Sequence, residues 1–243
     1  MTNTQSLPIM AHMVIGYPSL EESRKTAELY IENGMEILEL QIPFSHPTAD
    51  GSVLTSANKK AVETGTTLEK SLQFLADLRR DYPNQKIMVM TYLNKLFAFG
   101  LDNFCNRLKA VEIPYIIIPD LPFDSALASE IHQHDYAQIC PVISANTSDA
   151  RLDIALSTQP DYIYLMADYK ITGSGFSIHP KIQKVVDTVK EKSPNTKLGL
   201  GFGISNKAQV SEVLKIADFA IIGSAFTKAL DEGKLNETLE GFA

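Results

Sequence analysis

Two acids have the type and spacing for proton chemistry. Glu39 sits in Leu38-Glu39-Leu40-Gln41-Ile42, a mostly apolar run, and Asp50 follows eleven residues later in Ala49-Asp50-Gly51. A carboxylate without a partner among leucines is costly, and burial raises its pKa toward the range useful for proton transfer near neutral pH. The bland reading of Glu39 is a barrel-interior carboxylate paired with a lysine from another strand. The strands offer little basic partner for it: His12 on the first, and Lys86 and Lys197 at strand starts, at the opposite end. Asp50 has its own bland reading, since Asp-Gly is common turn chemistry.

A second group is late in the chain. Gly201-Phe202-Gly203-Ile204-Ser205 and Ile222-Gly223-Ser224-Ala225 each end an apolar run. Small residues there let backbone N–H groups approach an anion, and a helix starting near Ser224 adds its positive end. Tight strand-to-helix turns also use glycine, so structure alone is the competing explanation. Asp168 to Ser177 is a longer segment with Thr172, Gly173 and Gly175, read either as a lid or as a plain surface loop. His132, His134 and His179 read as solvated surface residues, and no H-x-x-E-H or H-E-x-x-H occurs, so no metal site is expected.

The elements that position these groups alternate. Short apolar runs begin near Ile9, Met35, Lys86, Tyr115, Gln138, Tyr162, Lys197 and Phe219, with amphipathic helical stretches between them. Eight strand-helix units in 243 residues predict a (β/α)8 TIM barrel, one domain over residues 1–243. Catalytic groups of such barrels lie at the C-terminal ends of strands, and phosphate is often held after strands seven and eight. Glu39, Asp50 and the two glycine corners fit both rules. The alternative, an open doubly wound sheet, expects G-x-G-x-x-G after the first strand, where this chain has Gly16-Tyr17-Pro18.

Composition narrows the partners. Apolar residues make up 44%, enough for a large core, and the formal charge of −7 argues against nucleic acid. The two cysteines, Cys105 and Cys140, form no CxxC pair and read as buried thiols of a reducing compartment. Neither a secretory leader nor a membrane-spanning run is expected, which assigns the protein to the cytoplasm.

The motifs resemble one family. Leu38-Glu39-Leu40, Ile42-Pro43-Phe44-Ser45 and Ala49-Asp50-Gly51 look like the signature of the tryptophan synthase alpha subunit. Met90 to Asn94, Pro119 to Pro122, Ile171-Thr172-Gly173, Gly201 to Ser205 and Gly223-Ser224-Ala225 follow in that family's order. The resemblance implies retro-aldol cleavage of indole-3-glycerol phosphate to indole and glyceraldehyde 3-phosphate. It implies Glu39 as the acid/base on the indole carbon and Asp50 on the indole N–H. Phosphate would be held around Gly173, Gly203, Gly223 and Ser224, with Tyr164, Phe202 and Thr172 bordering the substrate. The subunit needs no cofactor. Its partner is a beta subunit carrying pyridoxal phosphate, in an αββα complex that passes indole along a tunnel.

This chain departs from the family pattern at several positions. Gln41 and Lys170 stand for glycines, His46 for an acid, Ser52 for a proline and His12 for a large apolar residue of the indole pocket. The helix that usually plugs the barrel floor is expected to be missing or reduced. These changes raise an alternative: a subunit that cleaves slowly and serves mainly to activate its partner. A different phosphate-binding barrel, such as a sugar-phosphate isomerase, explains the glycine corners but not the Glu39/Asp50 stretch.

Overall fold

The computed structural model describes residues 6–134, 136–167, 180–201 and 203–242. Its sheet is all parallel, in the order β5-β4-β3-β2-β1-β9-β8-β7-β6. The strands are β1 (Leu7–Val14), β2 (Met35–Gln41), β3 (Lys86–Met90), β4 (Tyr115–Ile117), β5 (Gln138–Ile139), β6 (Val142–Ser144), β7 (Tyr162–Met166), β8 (Lys197–Gly201) and β9 (Phe219–Ile222).

The expected fifth strand, Gln138 to Ile143, is divided into β5 and β6. Cys140 still donates to Ile116, on the β4 side, while the Pro141 carbonyl accepts from Tyr164, on the β7 side. Proline has no N–H to continue the ladder, so the chain changes neighbours across it. The two ends of the sheet order are thus one interrupted strand, and the ring closes through Cys140-Pro141. This is the expected (β/α)8 TIM-barrel fold.

Helices cover the outside: α1 (Leu20–Glu32), α2 (Ser52–Glu63), α3 (Leu68–Asp81), α4 (Leu93–Phe99), α5 (Leu101–Ala110), α6 (Ala126–His132), α7 (Asp149–Ser157), α8 (Pro180–Lys192), α9 (Lys207–Val213), α10 (Ser224–Asp231) and α11 (Leu235–Glu240). Side chains of Ser19, Thr67, Ser125, Ser148 and Asn206 cap α1, α3, α6, α7 and α9. The short α4 was not expected from the sequence. Its first amide, at Leu93, donates to Asp120 at 2.9 Å, a carboxylate from the next strand end.

Strand alternation sorts the apolar residues into two cores. Ile9, Ala11, Met13, Leu38, Leu40, Val89 and Ile222 face the helices. Met10, Ile37, Met88, Met90, Ile117, Tyr162, Phe219 and Ile221 fill the barrel. By the same two-residue period, His12 follows Met10 inward, and Glu39 and Gln41 follow Ile37. Gly199 and Gly201 keep β8 open: a methyl group on Gly199 would meet the Phe219 ring at 2.2 Å.

Candidate active site

Glu39 is placed by β2 and is 2% exposed. In the parallel pairing of β1 with β2, His12 stands opposite it. The His12 Nδ1 lies 3.2 Å from Glu39 Oε2. Burial works against a charged ring at His12, but the nearby Glu39 and Asp50 carboxylates and the Gln41 side chain outweigh it and hold its pKa above the usual histidine value. Glu39 therefore has a basic neighbour after all, and it is the single one that the sequence placed on a strand interior.

Asp50 is delivered by the loop after β2, one residue before Gly51 opens α2. Its Oδ2 accepts from Gln41 Nε2 at 2.7 Å and from Asn58 Nδ2 at 3.1 Å. The Ala49 amide donates to the Tyr92 hydroxyl at 3.2 Å, which ties the loop to the end of β3. Burial raises the Asp50 pKa; His12, Gln41 and Tyr92 pull it down, and Glu39 adds a smaller upward push. Gln41 and Asn58 are fully buried polar side chains, so their amides cannot trade this carboxylate for water.

Both acids open into one cavity of about 330 Å³. Its walls also include Tyr164, Gly203, Gly223, Ser224 and Lys228. The structure thus brings together six of the sequence-selected residues: Glu39, Asp50, Tyr164, Gly203, Gly223 and Ser224. Thr172, Gly173 and Phe202 lie outside the described residues, as do Lys170, His179 and the Asp168 to Ser177 segment. Burial, with Glu39, Asp50 and Cys140 nearby, keeps the Tyr164 phenol protonated and able to donate. Gly223 precedes α10, and no side-chain cap closes that helix start among the described residues. An anion there meets backbone N–H groups and a helix end.

Of the substituted positions, His12 and Ser52 line the cavity. His46 is exposed on the acid-bearing loop, with its Nδ1 2.8 Å from Ser45 Oγ. Sequence reasoning missed the partners of Asp50. A signal was present for Asn58, a polar residue on the helix face shared with Ala57 and Ala61. Gln41 has the same parity as Glu39 on one strand, which places both side chains on one side. Lys228, one helical turn after Ser224, was also overlooked as a cavity residue.

Among the described residues no group of three or more His, Cys, Asp or Glu side chains is arranged to hold a metal. Among them, too, no helix is long and apolar enough to cross a membrane.

Comparison with known proteins gives a consistent answer. A family model described as tryptophan synthase alpha chain matches residues 2–241. The chain is similar to the tryptophan synthase alpha chain of Syntrophotalea carbinolica, 34% identical over 227 residues, covering 93% of this chain and 88% of that one. It is also 34% identical over 217 residues to the same-named protein of Shouchella clausii, covering 88% and 80%. Its fold superposes on a chain of the tryptophan synthase α2β2 complex of Pyrococcus furiosus with a TM-score of 0.84, at 25% identity and 98% coverage of both chains. A buried acid beside a second acid on the following loop, in a barrel whose last two strands end in glycine corners, is thus accompanied by similarity along nearly the whole sequence, and the chain belongs to the tryptophan synthase alpha chain family.

Proposed function

We propose that this chain cleaves indole-3-glycerol phosphate to indole and glyceraldehyde 3-phosphate. The observation that carries the reading is that Glu39 and Asp50 open into the same cavity as Gly203, Gly223 and Ser224. One substrate with a bicyclic head and an anionic tail fits such a distribution of groups.

In this reading Glu39 gives a proton to the indole carbon that bears the side chain. Positive charge then develops on the ring nitrogen, and the Asp50 carboxylate, fixed by Gln41 and Asn58, stabilises the N–H. The substrate hydroxyl next to the breaking bond returns a proton to Glu39. Its O–H electrons become the new carbonyl bond, and the electrons of the broken carbon–carbon bond restore the ring. One proton leaves Glu39 and one comes back, so no cofactor is consumed in this subunit. Tyr164, Thr172 and Phe202 would border the substrate. Backbone at Gly173, Gly203, Gly223 and Ser224 would hold the phosphate, with Lys228 on the same wall.

Indole would pass to a beta subunit carrying pyridoxal phosphate in an αββα assembly; the cytoplasm is the compartment that this reading assigns. The alternative, a weakened subunit acting mainly as an activator, has less support. The Gln41 side chain donates to Asp50, and the His12 ring lies against Glu39 on the wall of a cavity that still measures about 330 Å³. The test is indole release from indole-3-glycerol phosphate by the chain assembled with its beta subunit. Glu39→Gln is expected to lower release by about 10²- to 10⁴-fold. Rapid beta-subunit turnover stimulated equally by wild type and Glu39→Gln, without any cleavage by wild type, would favour the activator instead.

A further inference from the structure

A histidine is a costly choice for a buried wall of an indole pocket unless its ring has something to do. His12 is 4% exposed, and its Nε2 is buried without a hydrogen-bond partner. The residue is fixed at its backbone and closely packed at its Cβ. Its backbone carbonyl accepts from the Tyr30 hydroxyl at 3.2 Å, and a methyl group on Gly223 would stand 3.3 Å from its Cβ. Beside the ring is Glu39, whose Oε2 has only the 3.2 Å approach of Nδ1 and no aligned hydrogen bond. The two groups are therefore adjacent and under-satisfied, and one proton between them would join them.

We propose that His12 is a positioning and proton-holding residue for Glu39, the two side chains sharing the proton that Glu39 delivers to substrate and then recovers. This rests on the cleavage reading above and deepens it. In the resting pair the proton is on Nδ1 and the carboxylate is charged. The N–H bond breaks as an O–H bond forms, giving neutral imidazole and carboxylic acid. The acid protonates the ring carbon. The substrate hydroxyl proton then restores the acid as the carbon–carbon bond breaks, and the proton returns to Nδ1. No outside acid or oxidant enters.

The charged and titratable groups around His12 come from five places in the fold. Glu39 faces His12 from β2 and Asp50 from the loop after it. Tyr164 of β7 and Cys140, just before β6, both feel Glu39, and burial with that charge keeps both protonated. Lys228 of α10 is on the wall of the same cavity. The two acids win over burial, so the imidazolium persists into a pH range where an ordinary histidine is neutral.

The experiment has two arms on the full chain. In the first, ring ¹⁵N signals of His12 are followed against pH by NMR in wild type and in Glu39→Gln. The expected result is a midpoint above the ordinary histidine range that falls by about one pH unit or more in the variant. In the second, kcat/KM for cleavage is measured against pH with the beta subunit present. The alkaline limb should coincide with the His12 midpoint, and His12→Gln should displace it by about one unit or more while lowering kcat more than it raises KM.

A His12 midpoint that ignores Glu39, alongside good cleavage, would overturn the proposal and leave the cleavage reading standing. A coupled midpoint with an alkaline limb unmoved by His12→Gln would also overturn it. A coupled midpoint with no cleavage at any pH would overturn the cleavage reading, and the catalytic step with it. Circular dichroism of His12→Phe provides a check on folding, since an aromatic ring can fill the same wall.

Discussion

Each acid is defined by what it touches. Glu39 has a histidine and an apolar barrel around it, whereas Asp50 has two amide donors and a phenol-anchored loop. In the reaction we propose, that difference separates the proton carrier from the stabilising charge. Glu39→Gln removes the transferable proton and is expected to lower kcat by about 10²- to 10⁴-fold in a steady-state indole assay. Gln41→Ala removes the 2.7 Å donor from Asp50. A hydrogen bond to a charged group is worth about 1.5–3 kcal/mol, so kcat/KM should fall by roughly ten- to a hundredfold. Restored activity in that variant would mean that Gln41 only adds bulk.

The residue scale also sets a pH dependence of stability. The pKa values of His12 and Asp50 are both raised in the folded chain, so the native state binds more protons than the unfolded one as each group titrates. Stability therefore falls as pH rises through each window: from about pH 4 upward for Asp50, and from about pH 6.5 upward for His12. His12→Phe abolishes the upper part. The drop in urea midpoint between about pH 6 and about pH 9 should shrink in that variant relative to wild type.

At the scale of elements, β8 matters because of what it lacks. A Cβ on Gly201 would lie 2.9 Å from the Ile221 Cβ and 3.0 Å from the Tyr164 hydroxyl. Neither neighbour can retreat without disturbing β9 or the cavity wall. Gly201→Ala is expected to cost about 1–3 kcal/mol in a denaturant melt and to raise KM as Tyr164 is displaced. The division of the fifth strand is likewise a local event with a wider role. Apolar periodicity predicts one strand from Gln138 to Ile143, but the missing N–H of Pro141 makes two short ones. The helix Leu93–Phe99 escaped prediction because Asp120, from another unit of the fold, holds its start.

At the scale of the molecule, the first and last strands meet: β1 pairs with β9, so the ring needs both ends of the sequence. The helices repeat that closure. Phe226 of α10 is fully buried and lies 5.4 Å, centroid to centroid, from Tyr30 of α1 and from Phe242. The same Tyr30 supports the backbone of His12. These long-range ties are the support for our proposal that the chain is a single domain. Phe226→Ala should destabilise the protein by about 3–5 kcal/mol in a denaturant melt, since the cavity left cannot collapse without moving both helices.

The sequence by itself determined the succession of strands and helices, the two acids and the glycine corners. Strand period also determined that His12, Glu39 and Gln41 turn inward, because alternate side chains share a face whatever the neighbouring strand is. Only the tertiary structure decided which inward side chains meet. Pairing register places His12 against Glu39, and the loop after β2 folds back to bring Asp50 onto Gln41 and Asn58. Closure of the ring then sets Gly203, Gly223 and Ser224 on the same cavity as both acids. Those contacts depend on register, loop path and closure, which arise from interactions far apart in the chain and leave no local periodic signal.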